Sequence, residues 1–233
     1  MSIAEPTVAA EPTISTAAEL VYQLGDIPLN RILVNPPMGT ATEEDLLNCE
    51  LNCELVDGML VIKAMGYHES ALAAFLIQWI NNYLDRNPIG LCAAGDGICK
   101  LIPGLVRSPD VSFIIRERLA QAKDLTFAPG APDLCVEVLS KSNTRREISR
   151  KIKEYFQHGA RLVWVFDIRK HVAEIYLGPT DPAIVQPADT IDGRDVLPGF
   201  QFVLGELLAA VEKRVAGILP AGDSETPGDQ QQP

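Results

Sequence analysis

The chain has no apolar run approaching the roughly 20 residues that cross a bilayer as a helix, so nothing in it reads as a membrane-spanning segment. Its first residues, MSIAEPTVAAEPTIS, lack a basic stretch ahead of an apolar one and do not read as a secretory signal. A cytoplasmic location is the expectation, and the five cysteines are then expected to be reduced thiols. Positive charge is also short: 20 Lys and Arg stand against 31 Asp and Glu, a formal net charge of -11. That balance excludes a uniformly basic surface that coats nucleic acid. It leaves room for a site where basic residues gather locally and metal ions offset carboxylates. No Gly-rich phosphate loop, GxSxG elbow or HExxH pair occurs, which leaves nucleotide-dependent and serine-hydrolase chemistry without support. The histidines, His68, His158 and His171, are scattered. Cys49 and Cys53 fall in a tandem LNCE-LNCE, but Cys92 and Cys99 do not complete a zinc-ligand spacing with them, so they read as incidental thiols.

What is present is a chain of 233 residues, 47% apolar, enough for one folded unit with a full core. Residues 1–27 open on a repeated AEPT element without sustained apolar period and read as a flexible leader. Residues 216–233 have the composition of a disordered tail. The folded domain is expected over 28–215.

Within it, Thr40 and Glu43 have capping-box spacing and predict a short helix ending before Cys53. CELVDGMLVIK, with Asp57-Gly58 between two apolar runs, predicts a hairpin. From His68 to Arg86, Leu72, Phe75, Leu76, Trp79, Ile80 and Tyr83 recur at helical spacing. A second hairpin is predicted over 89–102, turning at Gly95-Asp96-Gly97. Strands follow at Asp110 to Ile115 and Asp133 to Leu139, then a helix from about Thr144 to His158 that Gly159 ends. LVWVFD (162–167) is a continuous apolar run, as expected of a buried central strand, with VAEIYL (172–177) beside it. A last helix is predicted over Gly205 to Val215. Hairpins followed by strand-helix-strand predict an α/β fold of the mixed α+β kind: a mixed sheet flanked by helices, with N-terminal β-hairpins.

Three features carry chemistry. Arg107-Ser108-Pro109-Asp110 leads into a strand with a carboxylate at its first residue. Glu137 sits inside DLCVEVLS, flanked by apolar residues, where a buried ionised carboxylate costs several kcal/mol unless paired or bound to metal. The next helix, TRREISRKIKEYF, reverses the sign of the chain's charge with Arg145, Arg146, Arg150, Lys151 and Lys153. Two carboxylates at adjacent strand ends suit a hard cation such as Mg²⁺, and a nearby lysine would stabilise charge developing on a phosphate. The plainer readings are that Asp110 caps a turn, Glu137 pairs with a basic residue across the sheet, and the helix presents a solvated basic face. Ile148, Ile152 and Tyr155 mark that helix's buried stripe, with Lys151 one residue off it.

The segments RSPDVSF, PDLCVEVLS and KIKEY followed by HGARLVWVFD resemble the Uma family of restriction endonucleases in the PD-(D/E)XK nuclease superfamily, as do ELVDGMLV and the helix beginning at His68. The similarity runs over about 42–210. It implies a restriction-endonuclease-like fold and a metal-dependent endonuclease hydrolysing phosphodiester bonds in DNA. Asp110 and Glu137 would be ligands of Mg²⁺ or Mn²⁺. The superfamily's usual lysine position, two residues after the glutamate, holds Leu139. The Uma pattern takes its lysine from the next helix, which matches Lys151, with Lys153 and Lys141 as rivals. Glu54 and Glu69 lie near the family's front motif and are candidates for a further carboxylate. A homodimer is in keeping with nucleases that cut two strands. The alternative function is a catalytically inactive nuclease-fold module that binds or regulates; a homodimeric interaction protein whose tails recruit partners is compatible with either.

Overall fold

The computed structural model describes residues 16–63, 66–122 and 124–216. Helix α1 (Ala17–Gln23) opens on a reciprocal cap: the Thr16 hydroxyl accepts the Glu19 N–H, and the Glu19 carboxylate accepts the Thr16 N–H. After a 3-10 turn at Leu29–Arg31 comes the short α2 (Glu43–Leu47). Strands β1 (Cys53–Val56) and β2 (Met59–Ile62) form the hairpin predicted at Asp57-Gly58. Both turn residues have positive φ, 51° and 70°, as the favoured two-residue turn requires. Helix α3 (Tyr67–Leu84) leads to β3 (Gly90–Ala94), β4 (Cys99–Ile102), β5 (Leu105–Arg107), β6 (Val111–Ile115), α4 (Arg116–Leu119) and β7 (Ala128–Pro129). The centre of the molecule is β8 (Leu134–Val138), α5 (Arg145–Gln157) and β9 (Leu162–Asp167). The chain continues through β10 (Val172–Tyr176), β11 (Ala183–Val185), β12 (Thr190–Gly193), β13 (Leu197–Val203) and α6 (Leu204–Ala216).

One sheet has the order β2-β1-β5-β4-β7 and the other β11-β10-β9-β8-β6-β3, with β12-β13 as a separate hairpin. The larger sheet is mixed. β8 and β9 run parallel, as their connection through α5 demands, while β6 and β10 pair antiparallel on either side. Strand alternation then divides the core. Leu134, Val136, Leu162, Trp164 and Phe166 pack with Leu72, Leu76 and Ile80 of α3 and Leu207 and Val211 of α6. Cys135, Val163 and Val165 face the other way, onto Ile148, Ile152 and Tyr155 of α5, Leu20 of α1 and its capping residue Leu24, and Val56, Met59 and Val61 of the smaller sheet. The smaller sheet's far face, with Cys53, Leu55, Leu60 and Val106, is covered by Leu46 of α2. Helix α5 therefore shares one core with both sheets.

Three expectations are corrected. The first short helix starts two residues late, with Thr42 and Asp45 forming the capping box. The Thr40 hydroxyl instead donates to the Pro37 carbonyl at 2.7 Å. The 89–102 segment turns at Gly97, whose N–H reaches the Ala94 carbonyl, but it is no hairpin: β3 pairs with β6 in one sheet and β4 with β5 in the other. The leader is also shorter than the span 1–27, because α1 is capped and Leu20, Leu24 and Ile27 are core residues. Residues 1–15 and the tail from 217 lie outside the described residues.

Candidate active site

Alternation along the strands delivers the charged residues to one place. Val136 and Val138 of β8 join the core beneath α3, which turns Glu137 toward α5. Val111 of β6 stands opposite Val136, so Asp110, one residue earlier, turns to the same side as Glu137. Asp110 is pinned there: its N–H donates to the Val136 carbonyl at 2.8 Å, and its Oδ2 accepts the Val138 N–H at 2.7 Å. From the smaller sheet, Cys53 and Leu55 pack toward α2, which directs Glu54 between them toward α5. Lys63 ends the β2 strand on the same side as Val61, its N–H donating to the Asn52 carbonyl.

These side chains form two buried sets of ion pairs joined through Ser108, whose N–H donates to Glu54 and whose carbonyl accepts from Lys63. The Lys151 ammonium lies 3.0 Å from Glu54 Oε1 and 3.2 and 3.1 Å from the two carboxylate oxygens of Glu137. The Tyr155 hydroxyl donates to Glu137 Oε1 at 2.5 Å. Glu54 also accepts from Arg107 at 2.9 Å and from the Ser108 N–H at 3.0 Å, and Arg107 reaches on to Glu154. Lys63 Nζ sits 2.8 Å from Asp110 Oδ1 and donates to the Ser108 carbonyl. Glu54, Lys151, Glu137 and Asp110 are only 1, 2, 3 and 4% exposed, so each depends on its partners to offset desolvation.

The cluster polarises its members differently. Burial would push the Glu54 carboxyl up, but Lys151, Arg107 and Lys63 outweigh it and hold Glu54 at about 2. Burial dominates at Glu137, with Asp110 beside it adding in the same direction, and its pKa is raised despite Lys151. Burial opposes the charge on Lys151, yet Glu137 and Glu54 more than compensate and keep the ammonium firmly protonated. Burial and the neighbouring carboxylates push the Tyr155 phenol well up, so it keeps the proton that it donates to Glu137.

Asp110 and Lys63 line a cavity of about 410 Å³ with Asn52, Ser70, Gly95 and Asp96. A second cavity of about 320 Å³ shares Ser70 and Ala74 with it and extends past Phe75 to Arg214, whose guanidinium lies over the Phe75 ring at 4.8 Å. Together they follow one face of α3.

The structure thus brings Asp110, Glu137, Lys151 and Glu54 together, and leaves the other candidates apart. Glu69 is half-buried in the first turn of α3, against Gly66. Lys153 is exposed and borders a different cavity, with Tyr22, Arg146 and Arg150. Lys141 is exposed. Lys151 does not lie at the rim of the α5 stripe as its spacing suggested; that flank, with Glu147 and Glu154, is buried because Arg31 and Arg107 cover it. Lys63, Arg107 and Tyr155 are the members sequence reasoning did not assign to the site. Lys63 had a signal, since it continues the inward alternation of Met59 and Val61 past the strand's end. Arg107 opposite Glu54 depends on a long-range register that no local pattern reveals.

Among the described residues no group of three or more His, Cys, Asp or Glu is arranged to hold a metal ion. Asp110 and Glu137 still fit a hard cation. They offer oxygen donors from adjacent strands, and Asp110, whose Oδ1 meets Lys63, lines a cavity with room for the water that Mg²⁺ retains. Lys63 would have to yield that oxygen. Cys49 and Cys53 hold their sulfurs 3.6 Å apart behind β1, and burial pushes the Cys53 thiol up to about 12.

Residues 42–210 match the family model Uma2, described as "Putative restriction endonuclease". Among curated proteins no match is found. Among solved structures, a chain described as a putative nuclease belonging to DUF820, from Anabaena variabilis, matches with a TM-score of 0.63 at 18% identity. The alignment covers 73% of this chain and 98% of that one, a likeness of fold. None of the described helices is long and apolar enough to cross a membrane.

Proposed function

The chain belongs to the Uma2 family, and on that premise we propose that it is a Mg²⁺- or Mn²⁺-dependent endonuclease that hydrolyses phosphodiester bonds in DNA. The observation that carries this reading is the meeting of Asp110, Glu137, Lys151 and Glu54 in one buried cluster whose Asp110 end opens on a cavity. Asp110 and Glu137 would hold the cation, which when bound supplies a water of lowered pKa and charge to offset the phosphate. Glu54 and Arg107 fix Lys151 against Glu137, so that the glutamate's carboxylate is held in one orientation. The cavities along α3 give a polynucleotide a path past the site, with Arg214 at its far end. The net charge of -11 predicts weak, salt-sensitive binding.

A second reading, an inactive nuclease-fold module, is favoured by one observation: Asp110 and Glu137 each already have an ammonium partner. The test is cleavage of plasmid and single-stranded DNA with Mg²⁺ and Mn²⁺, comparing wild type with Asp110→Asn and Glu137→Gln. Cutting by wild type that both substitutions abolish, with the fold intact by circular dichroism, supports the endonuclease. If wild type neither cuts nor gives a calorimetric Mn²⁺ signal, the inactive module replaces it.

A further inference from the structure

The cluster contains two lysines, and they are placed for different work. Each ammonium has three N–H donors. All of Lys151's face carboxylate oxygens of Glu137 and Glu54, the residue is 2% exposed, and it is absent from the lining of the cavity. Lys63 lines that cavity. Its ammonium is anchored by the backbone, donating to the Ser108 carbonyl and, at 3.5 Å, to the Gly95 carbonyl. Its remaining donor points to Asp110 Oδ1 at 2.8 Å. The two carbonyls hold the charge in place whatever happens at Asp110.

Resting on the nuclease reading, we propose that Lys63 is the lysine that contacts a phosphate of the nucleic acid substrate, and that its ammonium and a divalent cation compete for Asp110. If Asp110 Oδ1 held a divalent cation, one N–H of Lys63 would be freed while the Ser108 and Gly95 carbonyls kept the ammonium near its place. That N–H would face the cavity that Lys63 lines, within reach of a phosphate oxygen entering it. Lys63 is thus a substrate contact, and Lys151 positions Glu137.

The measurement is binding of a fluorescein-labelled DNA oligonucleotide to the full chain, followed by anisotropy over a salt series with Ca²⁺ present, for wild type, Lys63→Met and Lys63→Gln. Loss of one phosphate contact lowers the slope of log affinity against log salt by about 0.9 for duplex or about 0.7 for a single strand. Affinity at low salt should fall about tenfold, the effect of one hydrogen bond to a charged group. In calorimetry, Mn²⁺ should bind the Met variant more tightly than wild type, because Asp110 has lost its competitor. A purely structural lysine would leave the slope unchanged, whereas the Mn²⁺ affinity reports only the competition for Asp110. Where Lys63→Met does not fold, Lys63→Gln, which can still donate to the two carbonyls, gives the same readings. An unchanged slope, or weaker Mn²⁺ binding, overturns the assignment even if wild type cuts DNA. A lowered slope with no cutting by wild type retains Lys63 as a phosphate contact and removes the endonuclease. A wild type that binds no oligonucleotide overturns both.

Discussion

Replacing Lys151 by Met tests whether the cluster is sealed as described. The side chain keeps its length but loses the ammonium that lies 3.0 Å from Glu54 and 3.1 Å from Glu137. Glu54 would retain Arg107 at 2.9 Å and the Ser108 N–H at 3.0 Å, but Glu137 would retain only the Tyr155 hydroxyl. The cost therefore falls on Glu137, left nearly uncompensated beside Asp110. Removing one partner of a buried ion pair costs about 3–5 kcal/mol, a large share of the 5–15 kcal/mol typical of whole domains. Adding Glu137→Gln to the same chain removes the stranded charge, and the double variant should recover about 2–3 kcal/mol of the loss, a coupling typical of residues in contact. Urea unfolding followed by circular dichroism reads all four corners of this cycle. A loss under about 1 kcal/mol in Lys151→Met, or strict additivity in the double variant, would refute the burial and the pairing on which the site's geometry rests.

The depressed pKa of Glu54 predicts a pH dependence. A carboxyl moved from the usual 4.5 to about 2 by folding contributes stability that is full above 4.5 and is lost as pH falls toward 2. The stability gap between wild type and Glu54→Gln should accordingly close across that window; a gap that stays constant down to pH 2.5 argues against the assignment. Arg31 makes a bidentate pair with Glu147 at 3.0 and 2.9 Å, both residues buried, so Arg31→Met should cost about 3–5 kcal/mol in the same unfolding assay, and a cost below 1 kcal/mol would contradict the pair. Gly58 has φ +70°, and a Cβ there would stand 2.5 Å from the Gly39 backbone. Gly58→Ala should lower the thermal midpoint measurably, whereas Gly104→Ala, also at positive φ but with open space around it, should cost less.

How far the sequence could be read depended on the range of the interaction. The β8-α5-β9 unit was legible because each element carries its own period, and Thr144 with Glu147 makes a local cap. Asp110 and Glu137 were legible as charges in strands that otherwise have none to spare. The second hairpin was not, since its turn is genuine but its strands pair elsewhere: β3 with the more distant β6 in one sheet, and β4 with the strand after it, β5, in the other. Thr40 and Thr42 both precede an acid by three residues, and what separates them is the Pro37 carbonyl that engages Thr40. The burial of Lys151 was hidden for a related reason. A helix's buried flank is usually apolar, but on α5 Glu147, Lys151 and Glu154 are buried against Arg31, Glu54 and Arg107, residues at least 40 positions away in sequence.

That arrangement bears on what the cluster is for. A network serving stability alone gains nothing from charge, since apolar groups of similar volume fill such a space at equal or lower cost. Here the cations are distributed unevenly. Arg107 and Lys151 are enclosed by Glu54, Glu137 and Glu154, so they hold those carboxylates in place and touch nothing from outside. In the Asp110–Lys63 pair both partners front one cavity, and the pair is fixed by backbone on both sides, through the Val138 N–H at Asp110 and the Ser108 carbonyl at Lys63. A carboxylate and an ammonium that are held rigidly at a cavity wall can exchange each other for a cation and an anion at little reorganisation cost. A metal phosphate is that combination of charges, and on the proposed reading the enclosed part of the cluster, through Lys151 and Tyr155, holds Glu137 oriented one strand away.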